Sequence, residues 1–325
     1  MAKRHSGLPR PLPIATSKSW LLEVLRWIDT SREATQRVLA LENEFRRRIT
    51  SHVGSLPAED AKFEKFNTSP FVLMIHCLKR HYSRISEIEQ DIMPAKEFSS
   101  METSAGRMIE AVALPAYGWT IVPSAMHSPN SALDGKCLDG PTLKLATLKS
   151  GLRCLNDEMS ADFANNIIDN FHAWARDDRV SSIDFTYGVL YGTPRQSNKK
   201  DWHILRNLDE KLPAHMTVRP DGQWTCAFEK DGITVTATVR IGIDWWSYLG
   251  GPSCLVELCV ALIRACVTPG DDADPKGQRY TISDLAQIVA TTSVRRDFNV
   301  SILQRSQLPW LFFLARHFCD ELHDT

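Results

Sequence analysis

Ser131-Ala-Leu-Asp134-Gly-Lys-Cys-Leu-Asp-Gly140-Pro-Thr-Leu-Lys-Leu-Ala-Thr147-Leu-Lys149-Ser-Gly151 holds two runs of alternating side chains around a turn signal. Asp139-Gly140-Pro141 marks the reversal, and the apolar alternation on either side predicts two antiparallel strands. With Gly140-Pro141 as the loop, Asp134 falls opposite Thr147, and Lys149 lies one diagonal step away. Thr147 and Lys149 share a face because strand side chains alternate. A carboxylate, an ammonium and the backbone carbonyl of Leu148 therefore converge at one edge of a sheet.

Working outward, the segment after Gly151 predicts an amphipathic helix from Leu155 to about Trp174, with Leu155, Met159, Phe163, Ile167, Phe171 and Trp174 spaced by three or four. Ile183 to Tyr191 alternates as a strand, and Trp202 to Leu205 reads as another. Trp224–Phe228 and Ile233–Ile241 read as a hairpin across Asp231-Gly232. Asp244–Leu249 predicts a short helix or turn, and Leu255–Val267, apolar on nearly all sides, a buried helix. On the N-terminal side, a helix beginning near Ser99 or Ser100 carries Glu110 and stops at Pro115. Before it come a capped helix from Phe71 to about Ile92 and a periodic stretch from Trp20 to about Val53. Arg46-Arg47-Arg48 closes that stretch, where basic residues complement the helix dipole; contact with a phosphate backbone is the other reading. Residues 1 to about 17 are basic and proline-rich and are expected to lack fixed structure. Beyond an Asp- and Gly-rich loop, helices are expected around Ile282–Ala290 and Val300–Leu322.

The chain has 325 residues, 43% hydrophobic and 24% charged, with a formal net charge of -1, so overall basicity does not announce a nucleic-acid partner. Eight cysteines are scattered without a C-x-x-C pair, which predicts reduced thiols rather than disulfides or zinc. No signal peptide and no membrane-spanning run is visible, so a soluble cytoplasmic protein is expected. The ten histidines form no spaced ligand set. Walker, G-x-S-x-G and dinucleotide glycine patterns are missing, which removes support for nucleotide hydrolysis and serine esterase chemistry. The order of elements predicts an α/β fold, a mixed central sheet flanked by helices, with N- and C-terminal helical additions.

In this order, the pieces resemble the type II restriction endonucleases of the PD-(D/E)XK superfamily, and among them the branch that cuts GGNCC-type sites. The likeness spans about residues 62 to 270. It is carried by Phe66-Asn-Thr-Ser-Pro-Phe71, Gly106-Arg-Met-Ile-Glu110-Ala-Val-Ala-Leu-Pro115, Leu133-Asp134, Ala146-Thr-Leu-Lys149-Ser-Gly151, Tyr187-Gly-Val-Leu-Tyr-Gly192, Trp202-His-Ile-Leu-Arg206 and Gly242-Ile-Asp-Trp-Trp-Ser-Tyr-Leu249. Any one of these motifs alone is weak; the ordered set is specific. The resemblance implies a helical region over 1–60, a nuclease core over 61–270 and a C-terminal helical region over 271–325. It further implies magnesium-dependent hydrolysis of double-stranded DNA at a short palindrome, giving 5′-phosphate and 3′-hydroxyl ends. A homodimer and a companion DNA methyltransferase belong to the same expectation. A structure-selective repair nuclease of this fold and a cleavage-inactive DNA-binding protein are the alternatives.

One position departs from the pattern: Thr147 stands where the superfamily usually has an acid two residues before the lysine. Magnesium needs only one or two carboxylates and a carbonyl, so Asp134 and the Leu148 carbonyl are the first ligands expected. Lys149, unremarkable as an isolated surface lysine, is expected to orient the attacking water and stabilise charge at phosphorus. By resemblance, Glu110 is a candidate catalytic and metal carboxylate. Glu158 is another metal candidate, although it and Asp157 also suit the start of a helix. Arg153, Asn156, Asp157, Lys199 and Lys200 are candidate DNA contacts, against plain placement on a solvated loop. The pair Trp245-Trp246 is read as packing rather than as a base-stacking platform, and Asp139 as a turn residue.

Overall fold

The computed structural model describes residues 9–55, 101, 104–123, 129–212, 214–267 and 298–324. In chain order these form β1 (Ala15–Ser17), α1 (Lys18–Thr30), α2 (Arg32–Ser55), α3 (104–116), β2 (Thr120–Ile121), β3 (Gly135–Asp139), β4 (Thr142–Lys149), α4 (Asp157–Asp178) and β5 (Ser182–Val189). Next come α5 (His203–Lys211), β6 (His215–Val218), β7 (Trp224–Lys230), β8 (Ile233–Ile241), α6 (Ile243–Gly250), α7 (Cys254–Cys266), a 3-10 turn (Arg305–Gln307), α8 (Leu308–Ala315) and β9 (Glu321–His323).

Seven strands make one mixed sheet in the order β2-β3-β4-β5-β8-β7-β6. The central three, β4, β5 and β8, run parallel, while the outer strands join antiparallel. Central parallel strands are covered on both faces, and their sequences show it. Leu143 and Leu145 of β4, Ile183, Phe185 and Tyr187 of β5, and Val235, Ala237 and Val239 of β8 pack beneath α4 and α5 with Phe171, Trp174, Leu205 and Leu208. Ala146 and Leu148, one residue out of phase on β4, join the opposite cluster with α1, α2, α3, α6, α7 and α8. The α/β reading, a mixed sheet between helices, therefore holds.

The hairpin forms on the loop its sequence names. Asp139 pairs with Thr142 and Gly135 with Ala146, leaving Gly140-Pro141 as a two-residue reversal with Gly140 at φ 58°. Asp231 and Gly232, both at positive φ, make the second hairpin turn between β7 and β8. In α4, Asn156 caps the first turn by accepting the Met159 N–H at 2.8 Å.

Several expectations are corrected. Trp202–Leu205 is not a strand but opens α5, whose Ile204, Leu205 and Leu208 are buried at helical spacing. The stretch from Trp20 is two helices: Ser31 takes an extended backbone and its Oγ accepts the Ala34 N–H. The apolar stripe of Leu21, Leu25, Ile28, Val38 and Phe45 is buried throughout, so periodicity alone cannot show the break. The helix expected over 300–322 shrinks to α8, preceded by the 3-10 turn, because Pro309 in its first turn cannot sit deeper in a helix, and the chain then extends into β9. The proline-rich start has fixed structure from residue 9: β1 pairs parallel with β9, and the Ile14 N–H donates to Asp320 at 2.8 Å. Short strands β2 and β6 had no sequence signal. The helices expected at 71–92 and 282–290, and the boundaries at 61 and 271, lie outside the described residues.

Among the described residues no single helix is long and apolar enough to cross a membrane; α6 and α7, which pass that test together, are bent by 98°. Trp245 and Trp246 are buried, and the Trp246 Nε1–H donates to the Leu190 carbonyl at 2.8 Å. The seven described cysteines are free thiols.

Candidate active site

Asp134 sits one residue before β3, and its N–H donates to the Ala146 carbonyl at 2.9 Å. That bond falls one residue out of the ladder register, in which Gly135 already pairs with Ala146, so the strand bulges at Asp134 instead of setting it squarely opposite Thr147; the Lys149 charge still acts on the Asp134 carboxylate. The Asp134 Oδ2 accepts the Leu148 N–H at 2.6 Å, which fixes the carboxylate across the end of the hairpin. Because a residue's N–H and C=O point to the same side of a strand, the Leu148 carbonyl points that way too, past the last ladder pair.

Glu110 reaches the same place from α3. Burial and the neighbouring Asp134 charge push its carboxyl up to about 7, while Lys149 and Arg107 pull the other way. Burial likewise raises Asp134, against the Leu148 N–H and the Lys149 charge. Lys149 leans its ammonium over the Phe163 ring of α4, 5.6 Å from the centroid. Two half-buried carboxylates and one ammonium thus share the open end of β4. Beside them, an apolar cavity of about 640 Å³ opens behind Ile109 and Ser150, walled by Trp246, Leu258 and Phe313.

Burial raises both carboxyls and the Asp134 charge raises Glu110 further, so a hard divalent cation would favour their ionised forms, and the oxygen-only donor set suits one. Asp134, Glu110 and the Leu148 carbonyl therefore fit magnesium. Among the described residues, no group of three or more His, Cys, Asp or Glu side chains gathers into a ligand cluster. Thr147 adds no ligand: it is buried and its Oγ1–H donates to the Ala132 carbonyl.

The remaining candidates are placed differently. Glu158 is exposed in the first turn of α4 and is not among the groups acting on Asp134 or Glu110. Asp157 pairs with Lys200 at 2.5 Å and with His203 at 3.0 Å, which holds its carboxyl below the ordinary value. Lys199 turns back to donate to the Pro194 carbonyl at 2.6 Å over the Trp202 ring, and burial lowers its pKa. The Asn156 side-chain oxygen is occupied as the cap of α4. Arg153 is exposed in the loop after β4 at φ 64°. Arg46, Arg47 and Arg48 pair with Glu42 and Glu44 within their own helix, and Glu44 is held down to about 2. Sequence reasoning missed Arg107; its position three residues before Glu110, on the same helical face, is the signal that marks it.

No protein-family model and no curated protein matches this chain. The geometry and the resemblance in its motifs therefore carry the functional reading.

The raised pKa of Glu110 has a testable sign. Between its ordinary value of 4.5 and about 7, the folded chain keeps a proton that the unfolded chain has released, so stability from this group falls as pH rises through that window. Glu110→Gln is expected to raise the melting temperature at pH 8 without metal and to change it little at pH 4.5. Adding magnesium at pH 8 should stabilise the wild type more than the variant. A melting temperature that responds identically in both proteins at both pH values would separate Glu110 from the site.

Proposed function

We propose that this protein is a magnesium-dependent type II restriction endonuclease that cuts double-stranded DNA at a short palindrome, GGNCC-like by the resemblance, leaving 5′-phosphate and 3′-hydroxyl ends. The observation that supports it is the meeting of Glu110, Asp134 and Lys149 at the open end of β4, the placement that the PD-(D/E)XK resemblance leads one to expect. In this reading the second carboxylate comes from Glu110 of α3 instead of from position 147, where Thr147 stands.

In this reading Asp134, Glu110 and the Leu148 carbonyl would hold Mg2+, which when bound would supply Lewis acidity at the phosphate and lower the pKa of water. The Leu148 N–H keeps the Asp134 carboxylate turned toward the site. Lys149, its ammonium lying over the Phe163 ring, presents a compact positive charge to the attacking water and to the phosphate oxygens as negative charge grows there. Glu110 must lose its proton before acting as a ligand, so activity rises with pH toward and just above 7. Thr147 contributes rigidity through Ala132 rather than chemistry. A homodimer would present one such site to each strand of a palindrome, and a DNA methyltransferase of matching specificity would protect the host.

Incubation of a mixed plasmid pool with Mg2+ tests the reading directly. Discrete fragments with 5′-phosphate ends support it. Smearing or a preference for branched DNA indicates a structure-selective nuclease of the same architecture. Specific binding without any cleavage indicates a DNA-binding protein on a nuclease scaffold.

A further inference from the structure

We propose that Gly106 is a positioning residue for the Glu110–Asp134–Lys149 site, because its bare backbone lets α3 lie directly against Ser150 at the exit of β4. This rests on the nuclease reading for its effect on cleavage, but not for the geometry. A Cβ built on Gly106 would stand 2.5 Å from the Ser150 Cβ, well inside van der Waals contact. The neighbouring position is equally tight from the other side: a Cβ on Gly151 would stand 2.6 Å from the Tyr191 Oη. The chain leaving Lys149 therefore threads a slot between α3 and the Tyr191 ring.

The floor of that slot is anchored. The Leu190 N–H donates to the Lys149 carbonyl at 2.9 Å, tying the end of β4 to the end of β5. With the strand end held, any added bulk at the contact must displace α3. Glu110 lies one helical turn beyond Gly106 on the same face, so a displaced α3 carries the Glu110 carboxylate away from Asp134 and Lys149. Glycine within a helix is otherwise unfavourable, since alanine in its place loses less backbone entropy. The close approach of buried Gly106 to the Ser150 side chain accounts for its presence here.

The test uses three full-length variants: Gly106→Ala, Ser150→Gly and the two combined. Gly106→Ala is expected to lower kcat on DNA by about 10²-fold, the loss that follows a misplacement of about 1 Å, while binding to the same DNA in Ca2+ is kept. In the double variant the room vacated by the Ser150 side chain returns α3 to its place, and kcat recovers to that of Ser150→Gly alone. Hydrogen exchange at the Ser150 and Gly151 amides should quicken in Gly106→Ala and slow again in the double variant. Should Gly106→Ala fail to fold, the double variant alone decides, and its failure to fold or to cut overturns the proposal. Unchanged amide exchange in Gly106→Ala also overturns it, whatever happens to DNA. A wild-type protein that cuts no DNA would remove the nuclease reading, and the exchange measurement would still decide the role of Gly106.

Discussion

Asp134→Asn is expected to abolish DNA cleavage while leaving specific binding in Ca2+ intact. The amide keeps a carbonyl oxygen that can accept the Leu148 N–H, so the hairpin end stays formed. What it removes is the charge that holds a divalent cation, and with it the stabilisation of the transition state. Loss of a single preorganised charge-stabilising group costs on the order of 10²–10³-fold in kcat, and a principal metal ligand belongs at or beyond the upper end. Lys149→Ala is expected to match it, since no other ammonium acts on Asp134 or Glu110 among the described residues. Single-turnover cleavage with a gel-shift measurement in Ca2+ separates the two effects. Near-wild-type cutting by either variant would place the chemistry elsewhere.

Arg37→Ala is expected to produce the largest loss of stability. Glu257 of α7 is 0% exposed, yet it is satisfied on every side. The Arg37 Nε–H and Nη2–H donate to it at 2.6 and 3.0 Å, the Tyr117 hydroxyl at 3.0 Å and the Ser253 hydroxyl at 2.8 Å. This one carboxylate ties α2 and the turn after α3 to α7. Removing the arginine leaves a buried charge with only neutral donors, a loss of about 3–5 kcal/mol for an enclosed pair. Arg37 keeps 22% of its side chain exposed, which points to the lower end of that range. Urea unfolding of Arg37→Ala, compared with Arg37→Ala combined with Glu257→Gln, checks the cause. The double variant should regain much of the loss, because the uncompensated charge is then gone. Equal loss in both would trace the effect to missing packing instead.

The hairpin and its register were legible in the sequence because one turn, Gly140-Pro141, sets every pairing from Asp139–Thr142 to Gly135–Ala146. The same local logic served the Asp231-Gly232 turn and the buried helix α7. It failed where a short window was ambiguous, as at Trp202–Leu205, or where one side chain interrupts an unbroken apolar stripe, as Ser31 does. Within the site, Asp134 and Lys149 could be joined by counting along two strands. Glu110 could not, since α3 approaches them only in three dimensions and entered through family likeness alone. Nor does any spacing rule show that Thr147 would bond Ala132, or that Lys199 and Asp157 would find partners within the chain. Such contacts depend on where loops fold back, which side-chain periodicity does not encode.

The parallel pairing of Ala15–Ser17 with Glu321–His323 makes the described polypeptide very nearly a closed ring. Whatever peels away one extremity strips the other of its hydrogen-bonding neighbour, so damage at either terminus is felt at both. A reporter dye beside residue 16 would therefore register events at residue 322, 306 positions along the backbone yet only one strand away.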